Sequence, residues 1–352
     1  MSGLKQSIIR GGLESLYFSG THFVLRPLVG GVGAILALRH IRPPRSDRFQ
    51  PNRMFEVTPD FFARMVRRLR RSRLDLISLD EMHRRLVESD FKRRFVCLTF
   101  DDGYRDLREW AYPILKEAGV PFAIYVPTTF PDRLGELWWL ALEAVIARNN
   151  RVGLVIGGRD RTFDCATVAE KQALYDELYR WLRGRATESE MRSIIRSLAA
   201  YYHVDIAAFC EELCMSWPEL AELASDPLVT IGAHTVTHPA LSRLPQDAAR
   251  SEIELSRTVI EDALAVRPAH LSYPYGDRNS AGKREFEIAA ELGFKTAVTA
   301  RPGVLFAEHK RSMMALPRIF LHGDYQRMRY VRVLLSGVAT TMWKGFRRGQ
   351  TA

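Results

Sequence analysis

The sequence predicts an α/β protein built on a mainly parallel sheet, and three observations carry that expectation. Short β-prone apolar runs alternate with amphipathic runs of helical period through most of the 352 residues. Chemistry-bearing side chains fall just past the ends of several apolar runs, and in parallel α/β folds those ends share one face. Composition is that of a globular chain, 47% hydrophobic and 26% charged, and long enough for a sizeable core. Such alternation fits either a closed barrel or an open, doubly wound sheet.

Taken in order, strands are expected at 33–38, 75–78, 95–100, 122–126, 228–232, 269–273, 295–299 and 316–321. Runs 59–71, 105–118, 246–264 and 281–292 read as the helices between them. The rhythm breaks over about 134–227, where candidates at 136–149, 167–182, 188–202 and 217–223 are nearly all helical. The stretch RVGLVIGGRDRTFD inside it reads as a small hairpin. This segment is expected to be an insertion in the loop after one strand, on the face where such loops build substrate sites. Residues 1–32 read as an N-terminal extension, 33–324 as the main domain and 325–352 as a basic C-terminal helix or tail.

Lys and Arg total 51 against 41 Asp and Glu, a net charge of +10. That excess suits phosphate-rich surfaces, anionic polymers or inner-leaflet lipid. It is dispersed over MVRRLRRSRLD at 65–75, KRR at 92–94 and KGFRR at 344–348, without a nucleic-acid motif, so no nucleic-acid partner is expected. Cys97, Cys165, Cys210 and Cys214 form no CxxC pair, which argues against a zinc knuckle or disulfide framework and for a reducing compartment. Arg10 interrupts the early apolar residues, so no usual signal peptide is read. The apolar stretch YVRVLLSGVATTMWKGF reads as a helix packed on the domain, with peripheral membrane contact as the alternative.

Four segments carry candidate chemistry, each at a strand end. LTFDDGY, 98–104, sets Asp101 beside Asp102 where an apolar strand stops, a costly arrangement unless the acids are paired, hydrogen-bonded or metal-bound. IGAHTVTHPAL, 231–241, spaces His234 and His238 four apart, so that in a helix or tight turn they point the same way. Two His and one carboxylate make a metal site with open positions for water and substrate. HLSYPYGDR, 270–278, has a rigid corner at Pro274 and Gly276 that aims a backbone N–H, and ALPRIFLHGD, 315–324, brings Arg318 and His322. Any one of these is unremarkable alone; their convergence is not. Trp138 and Trp139, which open the insertion, are candidate sugar-stacking rings, and His40 is a candidate to reach the same face.

TFDDGY, HTVTHP, YPYG and LPRI resemble the motifs of the polysaccharide deacetylase family (the NodB-homology domain, carbohydrate esterase family 4), in a subgroup of YPYG type. The resemblance runs from about residue 33 to 322. It implies a distorted (β/α) barrel of the NodB-homology type with a mainly helical insertion. It also implies a divalent metal ion, usually Zn2+, although Co, Fe and Mn suit such ligands too. The implied activity removes N-acetyl or O-acetyl groups from sugars. By the same resemblance Asp102, His234 and His238 match the metal ligands, Asp101 the catalytic base, and Tyr275, through its backbone N–H, the oxyanion donor. Two departures stand out. Ser272 occupies the position where the family carries an Arg beside the base, and Arg318 from the last strand is the expected substitute. The Leu-x-His motif that supplies the general acid reads Phe320-Leu321-His322, which makes His322 the expected acid.

The expected substrate is an N-acetylated oligo- or polysaccharide: a chitooligosaccharide, an exopolysaccharide precursor or a lipid-linked glycan. The alternatives are a non-catalytic carbohydrate-binding relative and a hydrolase of non-sugar amides on the same fold. The expected compartment is the cytoplasm, in association with the inner face of the membrane.

Overall fold

The computed structural model describes residues 3–156, 159–184 and 187–343. Seven strands, here β1 to β7, form a closed ring: Gly33–Leu38, Phe95–Asp101, Phe122–Val126, Val229–Ala233, His270–Ser272, Thr296–Pro302 and Leu316–Phe320. Each pairs in parallel with its neighbours in sequence, and β1 closes the ring by pairing with both β2 and β7. The fold is therefore a barrel and not a doubly wound sheet. It is distorted because its seams are unequal. β1 and β2 match over six residues, from Gly33 opposite Phe95 to Leu38 opposite Phe100. β4 and β5 meet at one pair, Leu271 opposite Ala233, and the β6–β7 register slips between Val298 and Pro302. The expected strand at 75–78 lies outside the ring: Asp75–Leu76 only extends the sheet at the start of β2.

The period of two along each strand sorts side chains into two layers. On β2, Phe95 and Cys97 pack with Ile35, Tyr125, Val298 and Leu316 inside the barrel. Val96, Leu98 and Phe100 face outward onto the helices, against Phe62, Met65 and Leu69. Continuing that alternation puts Thr99 and Asp101 on the inner parity, at the C-terminal mouth. The helix Leu79–Glu88 closes the other mouth: its Asp80 reaches Lys295 and His270, at the starts of β6 and β5. The outer helices follow local rules. Thr58 caps Pro59–Arg70 by accepting the Phe61 N–H, and Phe61, Phe62, Met65, Val66 and Leu69 form the buried stripe.

The insertion has a core of its own, with Leu142, Ile146, Leu174, Leu178, Met191, Ile195 and Cys210 buried together. Its hairpin pairs Arg151–Ile156 with Arg159–Asp164 antiparallel; the two glycines of its turn lie outside the described residues. An additional helix, Ile206–Leu213, is capped by Asp205, whose carboxylate accepts the Ala207 and Ala208 N–H groups. At the chain ends, Gly3–Phe18 lies along Met328–Leu335, with Leu13, Tyr330 and Val333 buried in one cluster with Ala339 of the next helix, Val338–Trp343. The KGFRR segment lies outside the described residues.

Candidate metal centre and active-site cleft

Asp101 is the last residue of β2 and Arg318 the third of β7, and both project into the C-terminal mouth. Their side chains form a two-point ion pair, Nη1 to Oδ1 and Nη2 to Oδ2, each 2.8 Å. The Ser272 hydroxyl donates to Asp101 Oδ1 at 3.2 Å, and Arg318 Nη2 donates to Ser272 Oγ at 3.1 Å. Arg318 Nε donates to the Thr299 carbonyl at 3.0 Å, so three strands fix one guanidinium. Burial pushes the Asp101 carboxyl up, but Arg318 and His234 outweigh it and hold the group below its ordinary value. Asp101 is thus ionised inside the barrel, its charge met by Arg318.

Asp102 follows in the left-handed region, φ 74°, a conformation Asp tolerates better than most residues, and Gly103 continues the turn at 63°. The turn swings the Asp102 carboxylate away from Asp101 toward His234 Nε2, 3.5 Å, and His238 Nε2, 3.3 Å. One ligand atom from each of the three lies within 4.8 Å of the others, and all three residues are buried. The two His come together in a tight loop, not a helix, with Thr235 and His238 both at positive φ. His234 Nδ1 donates to the Ser272 carbonyl at 2.5 Å, which leaves the Nε2 lone pair facing Asp102. Burial pushes His238 down to about 4, so its imidazole is neutral at physiological pH.

Both Asp102 oxygens, His234 Nε2 and both His238 ring nitrogens are buried with no hydrogen-bond partner. Orphaned polar atoms on one acid and two imidazoles are what a divalent cation would satisfy, so these residues fit the metal that the motifs imply. Arg39, one residue past β1, sets its Nε 3.4 Å from Asp102 Oδ2 and its guanidinium 4.6 Å from the Phe55 ring centroid. Sequence reasoning missed Arg39, although it sits beside His40 at the same strand end.

A cavity of about 470 Å³ opens over this centre, walled by Asp101, Arg318, Tyr275, Arg39, Phe55, Phe320, Tyr179 and Arg183. A second, of about 590 Å³, shares Arg39 and Phe55 and continues past His40, Tyr104 and Trp139. Tyr275 stands at φ 60°, and Gly276 after it at 63° passes so close to β6 that a Cβ would lie 2.4 Å from the Ala300 nitrogen. The Gly276 N–H donates to the Pro274 carbonyl at 2.6 Å, tightening the corner. The insertion supplies the rest of the wall. Trp138 Nε1 donates to Tyr275 Oη at 2.8 Å, and the Arg183 guanidinium lies 3.5 Å over the Tyr275 ring.

The expected residues divide into two groups. Asp101, Asp102, His234, His238, Tyr275, Pro274 and Arg318 are drawn to one mouth. Trp138 is only 1% exposed, with its ring stacked on Tyr179, and presents no free face to a sugar. Trp139 lines the second cavity beside His238, ring centroids 5.4 Å apart. His40 sits on that wall as well, its Nδ1 2.7 Å from Asp106 and its ring stacked on Tyr104. His322, the expected acid, is placed elsewhere: its Nδ1 accepts the Asp324 N–H at 3.2 Å, its ring meets Tyr325, and its Nε2 is buried. Phe320, two residues after Arg318 and so on the same strand face, occupies the cavity wall in its stead, and β7 ends there before His322 is reached.

A parallel barrel with an acid-and-two-imidazole centre at its C-terminal mouth defines a class of hydrolase scaffold, and comparison with known proteins agrees. The polysaccharide deacetylase family model matches residues 88–157 and 162–297. This chain belongs to the polysaccharide deacetylase family and is a carbohydrate deacetylase, a hydrolase. Among solved structures, the deacetylase PplD of Streptococcus pyogenes in complex with acetate superposes with TM-score 0.56 at 18% identity, covering 86% of this chain and 97% of that one. IcaB from Ammonifex degensii gives 0.53 at 15% identity, over 86% and 97% of the two chains. A de-N-acetylase from Aggregatibacter actinomycetemcomitans gives 0.53 at 12%, over 86% and 99%. At these identities the likeness is one of fold. No curated protein sequence matches the chain.

Proposed function

We propose that this chain is a metal-dependent N-deacetylase of an N-acetylated oligo- or polysaccharide. The observation that carries the reading is the division of labour between adjacent acids: Asp102 faces two imidazoles with its lone pairs unused, while Asp101 is neutralised separately by Arg318. Asp102, His234 and His238 would hold the divalent ion, with zinc the first choice for this donor set. Bound there, such an ion lowers the pKa of a water and polarises an acyl oxygen. Asp101 takes the proton of the attacking water, and Arg318 keeps it ionised and aimed for that task. The Tyr275 backbone N–H, at its strained corner, donates to the acetyl oxygen as negative charge develops. Tyr179 and Phe55 offer aromatic surface to a sugar ring. We assign protonation of the leaving amine to His40, held by Asp106, since the His322 Nε2 is enclosed. Two cavities sharing a wall suit a chain of sugars better than a lone one, whether chitooligosaccharide, exopolysaccharide precursor or lipid-linked glycan. The four buried, free cysteines support a cytoplasmic setting.

Acetate release from short N-acetylglucosamine oligomers, measured with metal content, tests this. Chelation should abolish release and added zinc restore it. Asp101→Asn should retain the metal and lose at least about a hundredfold in turnover. A variant that keeps its turnover would remove Asp101 from the reaction. His40→Ala should lose the alkaline limb of the pH–rate profile while His322→Ala keeps it, and the reverse pattern returns the acid to His322.

A further inference from the structure

A basic cavity of about 780 Å³ lies at the opposite end of the barrel from the cleft. Its walls come from four separated segments: the short N-terminal helices, the end of helix Pro59–Arg70, the turn before β2, and helix Met328–Leu335. Arg26, Arg68, Arg71, Arg73, Lys92 and Arg332 line it, together with Arg93 and Arg94, and no carboxylate does. Among the described residues, Arg93 is the one of these eight cations with a carboxylate partner, Asp75 at 3.2 Å. Arg94 at the floor is spent on backbone, donating to the Gly31 and Leu335 carbonyls. Burial and the neighbouring Arg26 lower it to about 10, a sign of uncompensated positive field.

Beside this cavity the chain exposes apolar side chains that a soluble surface normally hides. Helix Thr21–Val24 shows Phe23 and Val24, each 68% exposed, and helix Arg26–Val29 shows Leu28 at 60%. Both short helices touch the C-terminal helix Val338–Trp343, which exposes Met342 and, at 67%, Trp343. Arg26 stands over the Phe23 ring, 5.9 Å from its centroid, so cation and apolar surface are interleaved. No helix among the described residues is long and apolar enough to cross a membrane.

We propose that this end of the barrel is a docking surface for an anionic lipid bilayer, with Phe23, Val24, Leu28, Met342 and Trp343 entering the interface while Arg68, Arg71 and Arg73 meet the headgroups. Charge complementarity selects anionic lipid over neutral lipid, because no carboxylate lines the cavity and Asp75 offsets only Arg93 among its described cations. The exposed apolar residues select a membrane over a nucleic acid, whose backbone offers them nothing to enter. Arg94 lines the cavity, directly precedes β2 and donates to the Gly31 carbonyl just before β1, which fixes the surface at the strand starts. Docking therefore turns the cleft, at the strand ends, toward the aqueous side, where a polymer is free to reach it.

Flotation of the full chain with vesicles tests the surface independently of catalysis. Vesicles containing phosphatidylglycerol should retain the protein at least about tenfold better than phosphatidylcholine alone, and salt should weaken the difference. The variant Arg68→Glu/Arg71→Glu/Arg73→Glu changes exposed side chains only and should lose that retention with an unchanged melting temperature. Phe23→Ser/Val24→Ser should lose it as well. Equal retention on both vesicle types overturns the proposal, as does undiminished retention in the charge-reversed variant. If Phe23→Ser/Val24→Ser floats like the parent, the surface is a general polyanion site and the membrane assignment fails. Vesicle retention reads nothing of acetate release, so failure of the deacetylase reading leaves this result standing.

Discussion

The two walls of the cleft are built differently. On the barrel wall, Asp101, Arg318, Ser272, Thr99 and Thr299 form one buried network, and every member lies in a strand of the parallel ring. On the insertion wall, contacts reach across from a second core to grip loops. Trp138 and Arg183 hold Tyr275, the Glu188 carboxylate accepts the Ala240 N–H, and Arg192 donates to the Thr237 carbonyl. The Met215 N–H donates to the Gly103 carbonyl, so the DDGY turn is gripped too. The barrel therefore sets the Asp101 carboxylate through its strands and the Arg318 network. The insertion sets the loops that carry Asp102, His238 and Tyr275, through contacts that could be altered while the barrel stays intact.

Breaking the barrel wall should cost most. Arg318→Ala leaves Asp101 buried and unpaired, which should destabilise the protein by about 3–5 kcal/mol and cut turnover by at least about a hundredfold. Arg318→Lys should restore little, since a point charge cannot replace the two-point contact. Denaturant melts and acetate release, measured together, check this; wild-type turnover in either variant would show that the barrel network is not needed.

On the insertion wall the expected effect is smaller and more selective. Trp138→Phe keeps the packing against Tyr179 but removes the donor to Tyr275 Oη, a contact worth about 1 kcal/mol. We expect kcat/KM to fall by about tenfold or less, with metal content unchanged. A loss of metal would mean that the insertion supports the imidazoles through Tyr275, whose ring meets His238 at 4.8 Å.

The smallest effect concerns how the insertion holds itself together. Glu136, just before helix Trp138–Arg148, pairs with Arg192 at 2.9 Å and with Arg196. Burial raises its carboxyl, but the two arginines outweigh that and leave it below its unfolded value of 4.5. A carboxyl with a lowered folded pKa lends stability that is full above the unfolded value and is lost as pH falls through the folded one. Glu136→Gln should therefore cost about 1 kcal/mol near neutral pH, and the difference from wild type should shrink and then vanish as pH falls below the unfolded value through the lowered folded one. A difference that persists in acid would assign the effect to packing.

Local pattern made much of this legible beforehand. The expected helix at 246–264 coincides with Gln246–Leu264 as observed, because its apolar stripe is read from one continuous segment. Asp101, Asp102, His234 and His238 were visible because each follows an apolar run directly. Other features were hidden for identifiable reasons. The strand at 75–78 has the pattern of a barrel strand, but it pairs with the first residues of β2 only and stays outside the ring. Helix Ile206–Leu213 is only eight residues long and lacks a stripe long enough to read. His322 shares the parity of Arg318 and Phe320, but β7 ends at Phe320, and the loop that follows closes onto Asp324 and Tyr325 instead.

By itself, then, the sequence determined most of the order of strands and helices, the strand end at which Asp101 and Asp102 stand, and the supply of one acid and two imidazoles at strand ends. These depend on side-chain period and backbone preference over a few residues, and such short-range physics is written in the local chain. Only the tertiary structure decided that the sheet closes, that Arg318, expected there from the motifs, meets Asp101 at two points, that Arg39 leans on Asp102, and that scattered arginines gather at the opposite end. Each of those joins residues far apart in sequence, and their meeting depends on how the ring shuts and which side chains its packing leaves room for.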